Sequence, residues 1–378
     1  MRNIVIGLIV GAVLGVVLGA TVIAPRLERT AAGSGGTSPA PSAADLAEKL
    51  PRALVSRPAV SLKLAGGFPP DMPVAGDLAK RIDSRIWEVS RGQFEIRSYP
   101  PGALAAVDDV FEAVGAGAVD AALTTPDVAG NRVPALRIFA GVPFGPSADE
   151  FLAWLQLGGG KELFDSLNEQ HNVHALVCGM LPPSAFGWFR HELLSVQDLK
   201  GLKMSAGGLA ARALSRLGVD IVTYAPGDLM LAIEQGNVDA VAYASPAIDR
   251  RMEFGTWLKN YYPEGWKQSL TTVVLIINLK KWQQLNVSQQ AQVETLCGDT
   301  ISDTLAKGEA VQFVALKEFF AQGIRLQRLP PGILDALDRA WKQVVQQASS
   351  SDPDFLRVWQ SLSAFRADYA IWRELSRP

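Results

Sequence analysis

The chain is short of the residues that build disulfide scaffolds and metal centres. Among its 378 residues there are only two cysteines, Cys178 and Cys297, and three histidines, His171, His174 and His191. Two thiols cannot make a disulfide-dense scaffold. No cysteine lies near the N-terminus, which excludes lipid attachment through one. One bridge is open to the pair. Buried free thiols are the expected state, because Cys297 falls in a helical pattern and Cys178 ends a strand-like run. His171-x-x-His174-x-x-x-Cys178 has the residue types of a metal cluster. Its spacing crosses a helix-to-strand junction, where side chains diverge, so solvated or hydrogen-bonded histidines and no metal are expected. A basic excess is missing too: 36 Lys+Arg face 38 Asp+Glu, which argues against a nucleic-acid binder. There is no G-x-S-x-G sequence. Gly158-Gly-Gly-Lys161 lacks the earlier glycine and the following Ser/Thr of a phosphate loop. It is expected to end a helix on a left-handed glycine. Carboxylates are scattered without a persuasive acid–base pair, so no catalytic residues, no cofactor and no enzyme are expected.

What is present begins with an apolar N-terminus. Ile4 to Ala24 carries no charge, with Arg2 before it and Arg26 and Arg29 after. The run is long enough to cross a bilayer as a helix. Val22-Ile23-Ala24 offers a small-x-small cleavage site, so an uncleaved anchor and a cleaved signal both stay open for residues 1–25. Either way the rest of the chain is expected outside the cytoplasm, in the periplasm, tethered to the inner membrane if the helix is kept. Residues 26–58 are dominated by Ala, Gly, Ser and Pro and read as a flexible linker.

From Val60 the pattern is α/β, and the length suggests two domains. Val60, Leu62 and Leu64 alternate as in a strand, and Leu78, Ile82, Ile86 and Val89 recur at helical spacing. Ser147-Ala-Asp-Glu150 and Ser195-Val-Gln-Asp198 have the form of helix caps. Strands then alternate with helices, which predicts parallel sheets of βαβ units. Val273 to Ile277 has no alternation, as in a strand buried on both faces. Ser288 to Gly323 has few breakers and predicts a helix about 50 Å long. A stripe of Phe355, Trp359, Leu362, Phe365, Tyr369, Trp372 and Leu375 predicts a terminal helix packed on a lobe.

The order of motifs carries a resemblance. It runs through Gly141-Val-Pro-Phe-Gly145, Ala153-Trp154 with Gly158-Gly-Gly160, and Gly187-Trp-Phe-Arg190. It continues through Asp198-Leu-Lys-Gly-Leu-Lys-Met204, Ala232-Ile-Glu-Gln-Gly-Asn-Val-Asp-Ala240, Tyr261-Tyr-Pro-Glu-Gly-Trp266 and Ile276-Ile-Asn-Leu-Lys-Lys-Trp282. Over residues 60–345 the chain resembles the extracytoplasmic solute-binding subunits of TRAP transporters, nearest the branch that binds 2-oxo monocarboxylates. The resemblance implies a two-lobed, type II-like periplasmic binding protein with a long lobe-bridging helix. It implies lobe I over 59–181 and 270–310, and lobe II over 182–269 and 311–378. It further implies a small organic solute in the interlobe cleft, closure by hinge motion, and TRAP permease subunits as partners. A membrane-anchored sensor or interaction module on the same scaffold, without transport, is the alternative.

The pocket departs from the family pattern. The family's carboxylate-clamping arginine falls at Ser205, which follows Lys203-Met204. A metal-holding glutamine falls at Ser184, and the Glu-Trp pair that completes that site falls at Ala242-Tyr243. Serine cannot replace a bidentate Arg–carboxylate pair, and a metal site without its carboxylate loses its main charge partner. The expectation is a neutral or differently anchored ligand held by Ser184, Ser205 and Tyr243. Trp188 and Trp266 are further ligand-binding candidates, each with core packing as the competing role. Arg190, Arg212, Arg250 and Arg251 are candidates for a displaced cation, with solvated surface charge as the expected role.

Overall fold

A computed structural model describes residues 58–224, 226–266 and 268–376. The apolar run 4–24 and almost all of the linker, with the anchor and signal expectations attached to them, lie outside the described residues. Among the described residues no helix is long and apolar enough to cross a membrane.

The chain builds β1 (Val60–Ala65), α1 (Leu78–Val89), β2 (Phe94–Tyr99), α2 (Val110–Gly115), β3 (Ala121–Thr124) and α3 (Leu136–Ala140). Next come α4 (Ala148–Leu157), α5 (Gly160–Glu169), β4 (Val173–Leu181), β5 (Gly187–Phe189), β6 (Lys203–Ser205), α6 (Gly208–Arg216), β7 (Asp220–Val222), α7 (Pro226–Glu234), β8 (Ala240–Val241) and α8 (Pro246–Asp249). The rest is β9 (Asn260–Tyr262), β10 (Thr271–Asn278), α9 (Leu279–Gln284), α10 (Val287–Ala321), β11 (Arg325–Leu326), α11 (Pro331–Ser351) and α12 (Pro353–Ser376). Two sheets result, ordered β2-β1-β3-β10-β4 and β11-β9-β5-β8-β6-β7.

The sheets are mixed, not parallel throughout. β10 runs antiparallel to both β3 and β4, and β5 runs antiparallel to β8 and β9. The chain leaves the first sheet after β4, builds most of the second, and returns as β10. An excursion that exits and re-enters at one end of a sheet brings its return strand back antiparallel. Both flanks of β10 are therefore covered, and Val273 to Ile277 are all buried. This explains the unbroken apolar run without parallel pairing.

Some local signals act at their expected positions and others do not. Leu78, Ile82 and Ile86 recur every fourth residue on α1 and are all fully buried. Ser195 and Asp198 form a complete capping box, on a short 3-10 turn. Ser147 occupies its N-cap position but bonds Asp149 instead of the helix backbone. Gly158 ends α4 with a negative φ; the left-handed residue is Gly159, at φ +84°.

α10 is 35 residues long, or about 50 Å at ~1.5 Å per residue. Its first half lies on the first sheet: the Met180 N–H donates to Thr304 Oγ1 at 2.9 Å, and Arg81 pairs with Asp299 at 2.5 Å. Its second half lies on the second sheet: the Ala247 N–H donates to Gln312 Oε1 at 3.0 Å, and Phe319 packs on Trp188. The two cysteines are bonded to each other, not free. Cys178 on β4 and Cys297 on α10 meet with their Cα atoms 4.1 Å apart. The helix crosses the strand at that point, a juxtaposition that the local pattern of neither cysteine reveals.

The terminal helix α12 packs on α3, α4 and α5 as well as on α11. Arg366 donates to Glu150 Oε1 at 3.1 Å, and the Trp154 indole N–H donates to Ser361 Oγ at 3.1 Å. Its stripe is buried at Phe355 and Leu362, but Trp372 and Leu375 are 62% and 82% exposed.

Candidate functional site

A cavity of about 200 Å³ lies between the two sheets. Asp127, Gly141 and Pro143 wall it from the first-sheet side, and Ala206 to Ala210, Ala242 and Tyr243 from the second. Gln268, on the segment crossing back to β10, closes the end. Larger hollows exist elsewhere, one under α10 beside Leu155 and Cys297, one beside Phe111 and Arg132, and one beside Arg85 and Gln292. None of them draws any wall from the second sheet, so none can respond to movement of one sheet against the other.

The backbone makes the cavity. Gly141 has φ +112°, and a Cβ there would sit 2.2 Å from the Leu270 carbonyl oxygen, so only glycine fits this turn. Gly207 and Gly208 open α6, and its first turn, whose amides have no partner within the helix, lines the cavity. On the opposite wall Asp127 is exposed.

Of the expected residues Tyr243 lines the cavity, and Ser205 and Ser184 lie next to residues that do. Tyr243 lines the cavity, its ring edge-on to Phe254 at 5.6 Å. Its hydroxyl is pushed above the ordinary tyrosine range by burial and then by the Asp249 carboxylate. Ser205 ends β6 just before Ala206, and its carbonyl accepts the Ala242 N–H at 2.9 Å, which ties it to the Tyr243 strand. Ser184 is buried and donates its N–H to the Gln268 carbonyl at 3.2 Å, setting it behind the end wall.

The two tryptophans lie elsewhere. Trp188 is 1% exposed among Tyr261, Phe254 and Phe319, and its indole N–H donates to Asp249 Oδ2 at 3.1 Å. Trp266 is buried against Phe144 and Phe186, and its carbonyl accepts the Phe144 N–H at 2.7 Å. It joins the two layers beside the cavity without lining it. Asp127 and Gln268 went unnoticed in the sequence, because no motif marks either.

The arginine candidates have partners of their own in three cases. Arg190 donates to the Ile233 and Val238 carbonyls at 2.5 and 3.2 Å. Arg250 pairs with Glu318 at 2.8 Å, and Arg251 with Asp71. Arg212 is exposed on α6. Arg137, not singled out in the sequence, lies over Gly130 and donates to Asn131 Oδ1 at 2.6 Å. Burial and then the charge of Arg212 hold it below the usual arginine range, against a smaller opposing pull from Asp127.

Among the described residues no group of three or more His, Cys, Asp or Glu is placed to hold a metal ion. The His171 and His174 rings go separate ways. His171 accepts from Arg132 at 3.4 Å, and His174 stacks on Trp282 with ring centroids 4.1 Å apart.

Comparison with known proteins agrees with this geometry. Residues 65–352 match the model of the bacterial extracellular solute-binding proteins, family 7. A monocarboxylate 2-oxoacid-binding periplasmic protein of Nostoc sp. is 30% identical over 298 residues, which are 79% of this chain and 82% of that protein. A TRAP transporter solute-binding protein of Bordetella bronchiseptica superposes with a TM-score of 0.79 at 30% identity, covering 85% of this chain and 95% of that one. It is described as a dimer with co-purified calcium and picolinate in its occupied site. A TRAP periplasmic solute-binding protein of Colwellia psychrerythraea, with bound calcium and pyruvate, superposes with a TM-score of 0.79 at 26% identity, covering 85% and 98%.

Proposed function

This chain belongs to the bacterial extracellular solute-binding proteins of family 7, receptors for transport and not enzymes, and from that premise we propose that it captures a small organic solute between its two sheets and delivers it to a TRAP-type permease. The observation that carries the reading is the cavity itself, whose walls come from both sheets and from the crossing segment at Gln268. A solute in such a place meets both layers at once, so binding favours the arrangement in which they are close.

The lobes in this reading are residues 59–181 with 270–310, and 182–269 with 311–378, except that α12 at the end of the second stretch sides with the first lobe, because it packs on α3, α4 and α5 as well as on α11. The N-terminal segment, kept as an anchor or cleaved as a signal, places this receptor on the extracytoplasmic side of the inner membrane.

The ligand is held differently from the ligands of the relatives. Calcium with pyruvate or picolinate in those proteins needs oxygen donors, carboxylates above all. Here the matching wall brings the methyl of Ala242 and the phenol of Tyr243, and residue 205 is serine. These positions therefore offer a calcium ion no carboxylate and a ligand acid no arginine fork, and the one carboxylate lining the cavity, that of Asp127, stands on the opposite, first-sheet side. In this reading the Tyr243 hydroxyl meets the solute, the Ser205 hydroxyl stands beside it, Ser184 backs the end wall, and the first amides of α6 supply further donors.

Calorimetry with pyruvate, in calcium and in EDTA, tests this reading, together with native mass spectrometry of protein purified from its own source. The expected result is a co-purified small molecule and no tight, calcium-dependent pyruvate binding. Tight pyruvate binding abolished by EDTA would overturn the altered anchoring. A chain that never retains a solute would overturn the receptor reading.

A further inference from the structure

Asp249 is fully buried at the end of α8, behind the cavity wall. A carboxylate survives such burial only where hydrogen bonds replace water. Oδ1 accepts the Ala244 N–H at 2.8 Å. Oδ2 accepts the Trp188 indole N–H at 3.1 Å and the Tyr261 hydroxyl at 3.3 Å. Two of these donors sit on large, wholly buried rings packed on each other at 4.5 Å, so the carboxylate has a rigid seat.

The third donor belongs to the cleft. Ala244 directly follows Tyr243, and its carbonyl accepts the Ala185 N–H at 2.9 Å. On the other side of Tyr243, the Ala242 N–H donates to the Ser205 carbonyl at 2.9 Å. Tyr243, the aromatic residue of this segment that lines the cavity, is thus pinned by its two neighbours, and one of the pins is the Asp249 carboxylate.

We propose that Asp249 is a positioning residue for the solute cleft. Seated by Trp188 and Tyr261, its carboxylate fixes the turn after β8 and sets both the placement and the electrostatic surroundings of the Tyr243 hydroxyl. The tryptophan that the sequence offers as a ligand contact acts two steps back, on the group that holds the wall in place. The inference rests on the cleft reading only in taking Tyr243 as ligand-facing. The test uses no ligand, so its failure and the failure of the receptor reading are separate results.

The phenolate absorbance of Tyr243 is isolated as the difference between the wild-type titration and that of Tyr243→Phe, and again as the difference between Asp249→Asn with and without Tyr243→Phe. Asparagine keeps the shape and one acceptor but loses the charge. The expected result is a Tyr243 midpoint lower by about half a unit or more in Asp249→Asn. Tyr261→Phe removes a donor but leaves the carboxylate, and its Tyr243 midpoint is expected to stay near the wild-type one. An unchanged midpoint in folded Asp249→Asn overturns the proposal, as does an equal fall in Tyr261→Phe, which would mean general loosening. Should Asp249→Asn fail to fold, Trp188→Phe takes its place and amide exchange is followed by NMR. The Ala244 amide is then expected to exchange at least about tenfold faster than in wild type, and unchanged protection overturns the proposal.

Discussion

Arg251 holds Asp71 twice, one guanidinium nitrogen donating to its backbone carbonyl and another to its carboxylate. Asp71 lies in the segment after β1 of the first sheet, and Arg251 in the turn after α8 of the second. The pair therefore spans the two layers at the surface, where both side chains are partly open to solvent. Exposed pairs contribute about 0–1 kcal/mol and weaken with salt. A two-state opening equilibrium needs no more than that to shift severalfold. Arg251→Gln is expected to raise the open fraction of the solute-free protein by about two- to fivefold at low salt, and by less in 1 M NaCl. Single-molecule FRET between labels on the two sheets reads this. Equal open fractions in both proteins at low salt would show that the pair does not latch the cleft.

His174 carries a pH dependence of its own. It is buried on β4 against Trp282, and burial pushes its imidazole down to about 4. In the unfolded chain it titrates near its ordinary value of 6.5. The stabilisation from keeping it neutral is complete above pH 6.5. It is lost as pH falls from there to about 4, because the unfolded state takes up the proton first. The loss approaches ~3 kcal/mol across that window. His174→Gln is expected to be less stable at pH 8 and to lose about 2 kcal/mol less than wild type between pH 7 and pH 4.5. Urea unfolding at the two pH values checks it. Parallel losses in the two proteins would assign the acid sensitivity to other groups.

The sequence makes the elements legible where a face is periodic. Leu78, Ile82 and Ile86 on α1 and the breaker-poor stretch of α10 fall where their spacing puts them. Partners across the fold are not legible in this way. Cys178 and Cys297 each look like part of a local pattern, and only the passage of α10 over β4 joins them. The direction of β10 depends on where the chain re-enters the first sheet, which no window of residues encodes. The same limit governs the site. Tyr243 and Ser205 are singled out only through the resemblance to the family, which implies other residues at their positions. Asp127 and Gln268 reach the cavity through a 3-10 turn and a crossing segment that carry no periodic signal. The sequence leaves Trp188 open to a ligand contact or to core packing, because aromatic rings serve clefts and cores alike. Its neighbours Tyr261 and Phe319, distant in sequence, decide for the core.

The Cys178–Cys297 bond closes a loop of 119 residues and fastens α10 to the first sheet. Restricting the unfolded chain over such a loop stabilises the fold by about 2–4 kcal/mol. Replacing both cysteines by alanine is expected to cost that much in urea unfolding. The same loss should appear when wild-type protein is unfolded in dithiothreitol. Protein made in an oxidising compartment should react with no Ellman's reagent after unfolding without reductant. Two reactive thiols under those conditions would show that the native protein lives without the bond.

The serine at 205 gives the sharpest handle on the ligand. Its carbonyl is committed to the Ala242 N–H, but its side chain belongs to a half-exposed residue at the end of β6, beside the cavity. An arginine there introduces a planar fork able to meet both oxygens of a carboxylate, and charged hydrogen bonds of this kind contribute about 1.5–3 kcal/mol. Ser205→Arg is therefore expected to tighten pyruvate binding at least about tenfold. Ser205→Lys, with the same charge but no fork, should gain less. Adding Ala242→Glu supplies the carboxylate that a calcium ion needs, and pyruvate binding should then become calcium-dependent. Calorimetry on the three variants separates these steps. If Ser205→Arg leaves pyruvate affinity where it was, the acid is not meeting residue 205, and the cation for an anionic solute must come from another wall of the cleft.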